Sequence, residues 1–199
     1  MAEVNRWLLG RIRSGSRWAL DLGGGTGRLG PELRRLGYHY ANVDPSAVSM
    51  GAVKGVGEQL PFRDDSFKVV VSEDSLEHLP DPGIAVREVR RVITHDGTFV
   101  IWVPFLHPFH GDDLWRFTRL GLRKVLGEAG FHIETLEAPL GAASVAAQIL
   151  TEALRRVGLA RAERPIEKAG AWIDKRITPR LGGDGLAFAQ AFLVVAVPV

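Results

Sequence analysis

"ALDLGGGTGRLGPEL", Ala19–Leu33, holds five glycines in fifteen residues, with Asp21 just ahead of the first. An apolar run, a glycine turn and a helix-like run in that order suit close approach of backbone to a nucleotide-like ligand. Glycine has no Cβ to hold the chain away from a ligand, and it enters the left-handed region without strain. Outward from this stretch, strand-like and helix-like patterns alternate. "WALDLG" predicts a strand and Arg28–Gly37 a helix. "HYANVD" and "GAVKGV" predict the second and third strands, and the apolar run "FKVVVSED" a buried fourth. Gly83–Ile93 predicts a helix, "GTFVIWVPF" a strand, and Thr118–Ala129 a helix stopped by Gly130. "FHIETLEAP" and "AFAQAFLVVAVPV" complete seven strands. Alternation of this kind predicts an α/β fold with a mostly parallel sheet and helices on both faces. In such sheets ligands bind beyond the carboxyl ends of the strands.

The chain has 199 residues, 46% of them hydrophobic, enough for one domain with a substantial core. The expected organisation is a single domain over residues 1–199, with 144–181 as a helical insertion or cap before the last strand. Net charge is +2 and no basic tract stands out, so no nucleic-acid partner is expected. There is no cysteine, which excludes disulfides, zinc-thiolate sites, iron–sulfur clusters and cysteine nucleophiles. No run approaches the ~20 apolar residues of a spanning helix, and the N-terminus has no signal-peptide pattern. A cytoplasmic protein is expected. Val4, Trp7, Leu8 and Ile12 recur at helical spacing and predict an N-terminal amphipathic helix packed on the core.

The glycines admit two registers. Gly25-x-Gly27-x-x-Gly30 fits a dinucleotide such as NAD, and Asp21-x-Gly23-x-Gly25-x-Gly27 fits S-adenosylmethionine. Asp44, ending the second strand, suits the ribose of either. Asp21 separates them. A carboxylate beside a pyrophosphate is repulsive, whereas the amino-acid end of S-adenosylmethionine carries an ammonium. Asp21 would either order the loop or bind that ammonium.

The glycine stretch resembles motif I of the class I S-adenosylmethionine-dependent methyltransferases. "NVDPS", "GEQLPFRDDSFKVVVSEDSLEHLPDP", "REVRRVITHDGTFVIWVPF" and "LWRFTRLGLRKVLGEAGF" follow in the order found in the small-molecule members related to ubiquinone-biosynthesis enzymes. The resemblance covers roughly 17–137 and the last strand. It implies a Rossmann-like fold and S-adenosyl-L-methionine as cofactor. It places Gly23, Gly24, Gly25 and Gly27 along the methionine part, with Asp21 beside it. Asp44 falls on the ribose, Pro45 near the adenine, and Gly57, Glu58 and Gln59 at the adenine wall. Ser72 and Glu73 fall near the methionine and the acceptor. Two positions depart from the family pattern: Val56 stands where an acid usually meets the adenine amino group, and Lys68 where aspartate is usual. The link between strands two and three is short, so its helix is reduced or missing.

Methyl transfer from a sulfonium needs chiefly alignment, and an oxygen acceptor often needs a base as well. The candidates are His78, and His107 and His110 in "PFLHPFHGDDLWRF". Trp115, Arg116 and Phe117 would anchor a lid loop there. Glu73, Asp74 and Glu77 read as a solvated rim, and no metal is expected. The "HGDDLWRFT" stretch is similar to methyltransferases of sugar and glycan metabolism, so a small hydroxylated acceptor, a sugar or a glycan-linked compound, is implied. A catalytically silent binding or scaffold protein is the alternative. In the insertion, Ile149, Leu150, Leu154 and Val157 share a helical stripe with arginines close by. Core packing and peripheral membrane contact are both open.

Overall fold

The computed structural model describes residues 5–46, 48, 51–107, 112–158, 163–181 and 187–199, with only the helical backbone for 177–181. Seven strands form one sheet: β1 Trp18–Leu22, β2 His39–Asp44, β3 Val53–Lys54, β4 Phe67–Glu73, β5 Ile93–Pro104, β6 Phe131–Glu137 and β7 Ala191–Pro198. Their order is β3-β2-β1-β4-β5-β7-β6. β1 to β5 pair in parallel, and β7 runs antiparallel between β5 and β6. The fold is α/β and Rossmann-like, with an antiparallel end to an otherwise parallel sheet.

Alternating side chains divide the core between the two faces of the sheet, as period-2 geometry requires. Leu20, Leu22, Val70, Phe99, Ile101, Phe192 and Val194 lie on one face. There they meet α3 (Pro82–Val92) through Val86, Val89 and Val92, and α4 (Arg119–Glu128) through Leu122 and Leu126. Ala19, Val69, Val71, Val100 and Leu193 lie on the other. Leu33 of α2 (Gly30–Arg35) and Leu29 just ahead of it, with Leu8 and Ile12 near the N-terminus, cover that face. The caps are local and explicit. Asp81 accepts from Ile84 N at 2.9 Å ahead of Pro82, and Thr118 Oγ1 accepts from Gly121 N at 3.0 Å.

Several elements are shorter than their patterns suggest. The N-terminal helix α1 is only Arg6–Leu9, capped by Asn5 and ended at Gly10. Leu8 and Ile12 are buried as expected, but Trp7 is exposed. Residues 25–29 form turns before α2 rather than its first turn. Between β2 and β3 no helix occurs among the described residues. The insertion forms two helices, α5 Ala142–Arg156 and α6 Glu163–Leu181. Its apolar stripe does not pack into the core: Ile149, Leu150 and Val157 are exposed, and Leu154 is half-buried. Among the described residues, no helix is long and apolar enough to cross a membrane.

Candidate functional site

The glycine turn leaves β1 at the carboxyl edge of the sheet. Gly23, Gly25 and Gly27 take φ of +71°, +49° and +76°, a region that L side chains enter only with strain. Each glycine has its own surroundings. A Cβ at Gly23 would stand 2.2 Å from Ser75 Oγ, and one at Gly24 within 2.5 Å of Asp21 Oδ2 and Asn42 Oδ1. At Gly25 a Cβ would meet nothing within 4 Å. The turn is therefore packed down on the sheet at Gly23 and Gly24 and open at Gly25, which leaves room for a ligand along its outer side.

Asp21 lies beneath this turn, only 2% exposed, and accepts from Tyr40 Oη at 2.8 Å. Its carboxylate thus meets a side chain of β2 and stands directly under Gly24. Burial pushes its carboxyl up to about 7, with the Tyr40 hydrogen bond pulling the other way. Burial and the neighbouring Asp21 raise Tyr40 in turn, so its hydroxyl keeps the proton that it donates. Asp44 Oδ2 accepts from Gly25 N at 2.9 Å, joining the end of β2 to the open part of the turn. Its Oδ1 accepts from Ser46 N at 2.8 Å, next to exposed Pro45.

The adenine-wall candidates form a tight turn, with Gln59 N donating to Val56 O at 3.2 Å. Gly57 is buried against Leu79 and Ala85. Glu58 Oε1 accepts from Asp81 N at 3.2 Å, so its carboxylate serves the start of α3. Val56 is exposed. Lys68 pairs with Asp96 Oδ2 at 2.8 Å at the amino end of β4, the opposite edge from the glycine turn. Its departure from the family pattern thus concerns the far edge.

The segment after this wall is held by Arg91, which the sequence pattern did not single out. Its guanidinium donates to Leu60 O, Phe62 O, Asp64 and Glu88 at 2.7–2.9 Å. Leu60 N donates to Glu88 as well, at 2.8 Å. Arg91→Ala would take this donor from two carbonyls and Asp64 and leave Glu88 with Leu60 N alone, and is expected to cost about 1–3 kcal/mol. Thermal unfolding would read this as a fall in Tm, with the pattern of secondary structure kept in circular dichroism.

At the end of β4, Ser72 is fully buried within the sheet, and Glu73 pairs with Arg28 at 2.6 Å. Burial raises the Glu73 carboxyl, against the pull of Arg28. Ser75, another residue outside the sequence-based set, donates to Leu22 O at 2.8 Å and ties the ends of β1 and β4 together. Asp74 sits at φ +47°.

A 3-10 turn, Leu76–His78, follows and carries the second cluster. Glu77 belongs to no solvated rim: it is fully buried, and both carboxylate oxygens are without a hydrogen-bond partner. Its burial comes from residues 113–117. Leu114 N and Trp115 N donate to Glu77 O at 2.8 and 3.0 Å, and Trp115 Nε1 donates to Leu79 O at 2.8 Å. The expected anchoring by Trp115 thus acts on the 3-10 turn. Phe117 is buried. His78 lies between acids, with Nδ1 3.6 Å from Asp113 Oδ1 and Nε2 3.9 Å from Glu77 Oε1. Arg116 hydrogen-bonds Asp113 Oδ2. Burial, more than any neighbouring charge, pushes Glu77 up to about 8. Glu77, His78 and Asp113 bring one possible ligand atom each within 4.8 Å of one another. Arg116 adds a positive charge beside the trio through its hydrogen bond to Asp113. His107 is half-buried beyond β5, and His110 lies outside the described residues.

A glycine turn open at its outer side, an acid at the end of β2 and a titratable cluster after β4, all on the carboxyl edge of a 3-2-1-4-5-7-6 sheet, define a class I methyltransferase fold. Residues 20–101 match the family described as Methyltransferase domain. A curated methyltransferase of Mycobacterium sp. (strain JLS) is 34% identical over 126 residues, covering 58% of this chain and 48% of that protein. The chain spans about half the length of the curated relatives it matches. Among solved structures, the complex of a methyltransferase with the Haloferax volcanii Trm112 activator aligns with TM-score 0.66 at 20% identity, covering 97% of this chain and 88% of the other. The [4+2]-cyclase SpnF aligns with TM-score 0.62 at 18% identity, over 96% and 78%. The chain shares the class I methyltransferase fold of these structures, and its residues 20–101 are similar to a methyltransferase domain.

Proposed function

We propose that this protein transfers a methyl group from S-adenosyl-L-methionine to a hydroxyl of a small acceptor, of the sugar or glycan-linked kind, in the cytoplasm. A cyclase shares the fold, so the assignment rests on the site rather than on the architecture. The observation that carries it is the glycine turn, packed down at Gly24, open at Gly25 and joined to Asp44.

The residues fit the donor. Gly23, Gly24, Gly25 and Gly27 offer its methionine part backbone without a Cβ. Asp44 has carboxylate oxygens for the ribose, and Gly57 to Gln59 flank the adenine. When bound, the donor supplies an activated methyl group on a sulfonium. Asp21 and Tyr40 keep the turn at its height above the sheet. Ser75 keeps the ends of β1 and β4 in register, so that the acceptor cluster stays beside the turn. His78 takes the proton of the acceptor hydroxyl on its imidazole. The imidazolium so formed is stabilised by Asp113, 3.6 Å away, whose other oxygen is held by Arg116. His110 remains a second candidate for the base.

Calorimetry with S-adenosylhomocysteine tests the donor site. The wild-type chain is expected to bind in the micromolar range. Gly24→Ala is expected to weaken binding by about ten-fold or more, since its methyl group must displace Asp21 or Asn42 and lift the turn, at about 1–3 kcal/mol. Absence of wild-type binding at millimolar ligand would end this reading.

A further inference from the structure

A cleft of about 900 Å³ opens at the amino edge of the sheet, the edge away from the glycine turn. α1 stops at Gly10, and residues 10–17 run on as a loop, so a loop and not a helix walls this part of the sheet. The floor is a single face. Val195 pairs with Val100 of β5 and with Thr135 of β6, and Thr98 and Val197 lie two residues along their strands on the same side. All five line the cleft. The wall is tied to the turn after α2. Tyr38 Oη donates to Arg13 O at 2.8 Å, and Gly15 N donates to Leu36 O at 2.9 Å. A Cβ at Gly15 would stand 2.6 Å from the Tyr38 ring, so the loop lies against that ring only because glycine is there.

The polar groups that converge on this floor are of one kind. The wall, "GRIRSGSR" over Gly10–Arg17, holds three arginines and no acid. Arg11 pairs with Glu137 of β6. Arg13 makes no ion pair among the described residues. At the end of the cleft, Asp96 is shared between Lys68 at 2.8 Å and Arg17 at 4.0 Å. Glu134, at the irregularity in β6, is the other acid of the lining. Arg13, Arg17 and Lys68 therefore outweigh Asp96 and Glu134. Lys68 decides that balance. The aspartate usual at this position in the family would set a second carboxylate beside Asp96, whereas lysine makes this end of the cleft positive. The side-chain hydroxyls of Ser14, Ser16, Thr98 and Thr135 also line the cleft and make no hydrogen bond among the described residues.

Chemistry narrows the ligand. Guanidinium forks match phosphate oxygens two at a time, and an ammonium adds a point charge. Hydroxyls and the Glu134 carboxylate suit ligand hydroxyls, which both donate and accept. An apolar ligand would leave these groups unpaired. The volume suits a whole small molecule rather than a lone ion. We propose that the cleft is a second binding site, for a small phosphate ester whose phosphate meets Arg13, Arg17 and Lys68 and whose hydroxylated body lies on the floor of the sheet. Sugar phosphates and nucleotides share this chemistry. The site stands at the opposite edge from the glycine turn, so its ligand and the methyl donor do not compete for space. It requires neither donor binding nor turnover.

Calorimetry on the full chain tests it, with glucose 6-phosphate and adenosine monophosphate as probes and inorganic phosphate and glucose as references. S-adenosylhomocysteine is kept in excess so that the nucleotide cannot enter the glycine-turn site. At least one ester is expected to bind in the submillimolar range, about ten-fold or more tighter than either reference. Which ester binds more tightly distinguishes the two sources. Arg13→Glu with Arg17→Glu should weaken that binding by about ten-fold or more, and Lys68→Gln should weaken it in the same direction. Both arginine side chains are exposed, and the loop is held through their backbone, so an unchanged Tm would show that the double variant is folded. Absence of ester binding at millimolar concentration overturns the proposal. So does affinity equal to that of inorganic phosphate, or affinity that the double variant leaves unchanged. The glucose 6-phosphate arm reads the cleft even if S-adenosylhomocysteine fails to bind, so this proposal and the donor assignment fail separately.

Discussion

His78→Gln is expected to lower kcat by about 10²–10⁴-fold, the usual contribution of a positioned general base. Affinity for S-adenosylhomocysteine should stay at the wild-type value, because His78 belongs to the 3-10 turn after β4 and not to the glycine turn. Glutamine fills similar space and can hydrogen-bond Asp113, but it cannot carry a proton away. Asp113→Asn should act in the same direction with a smaller loss. The imidazolium would lose the carboxylate 3.6 Å from Nδ1, while the ring itself would remain. The double variant should be no worse than His78→Gln, since Asp113 acts through the histidine. The measurement is single-turnover methyl transfer to a hydroxylated acceptor found in a turnover screen. An unchanged rate for His78→Gln would remove it as the base and leave His110 as the candidate.

The other large effect concerns Glu77 and pH. Its carboxyl is raised from the ordinary 4.5 to about 8, mainly by burial. A carboxyl whose folded value lies above its unfolded value favours the protonated form in the native state. Stability from this group is then complete below about pH 4.5 and falls as pH rises towards 8, where the buried carboxylate must ionise. A tenfold change in a group's proton affinity between the unfolded and folded chain is worth about 1.4 kcal/mol, so the loss across this window amounts to several kcal/mol. Asp21 adds to it in the same sense up to about 7. The wild-type Tm should therefore decline from about pH 5 to about pH 8.5. Glu77→Gln, neutral throughout, should remove the upper part of the decline and be the more stable protein at the alkaline end. Parallel Tm curves for the two proteins would mean that Glu77 is ionised in the folded state at neutral pH.

The seven strands were legible because their signals are local. "HYANVD" matches β2 residue for residue, and "FKVVVSED" overlaps β4 to within one residue, since apolar runs bounded by turn residues need no distant partner to be recognised. The helices were less sharply bounded. α1 stops after four residues because Gly10 follows it, although the apolar spacing runs on to Ile12. In the candidate site, Asp44 and Gly25 could be read from motif position, and the structure joins them by a hydrogen bond. Arg91 and Ser75 could not be read in this way. Arg91 carries no motif, and its partners Leu60 and Phe62 lie 31 and 29 residues away in sequence. The burial of Glu77 has no local signal in the sequence. The backbone that covers it, at Leu114 and Trp115, comes from beyond β5.

The class of fold, the position of the glycine turn and the acid that ends β2 were all written in the order of the residues. Periodicity, turn residues and spacing are properties of short stretches, and this family of folds puts its ligands where such stretches end. Which side chains are buried, and which way a helix faces, depended on packing in three dimensions. Packing placed Asp21 beneath the turn with Tyr40, buried the Glu77 carboxylate without a hydrogen-bond partner and turned the apolar stripe of α5 outward. Burial is set by residues distant in the chain. Two helices with the same amphipathic spacing can face the core or face away from it, and the close approach of α5 and α6 through Ser144, Ala147 and Gly170 makes that choice here.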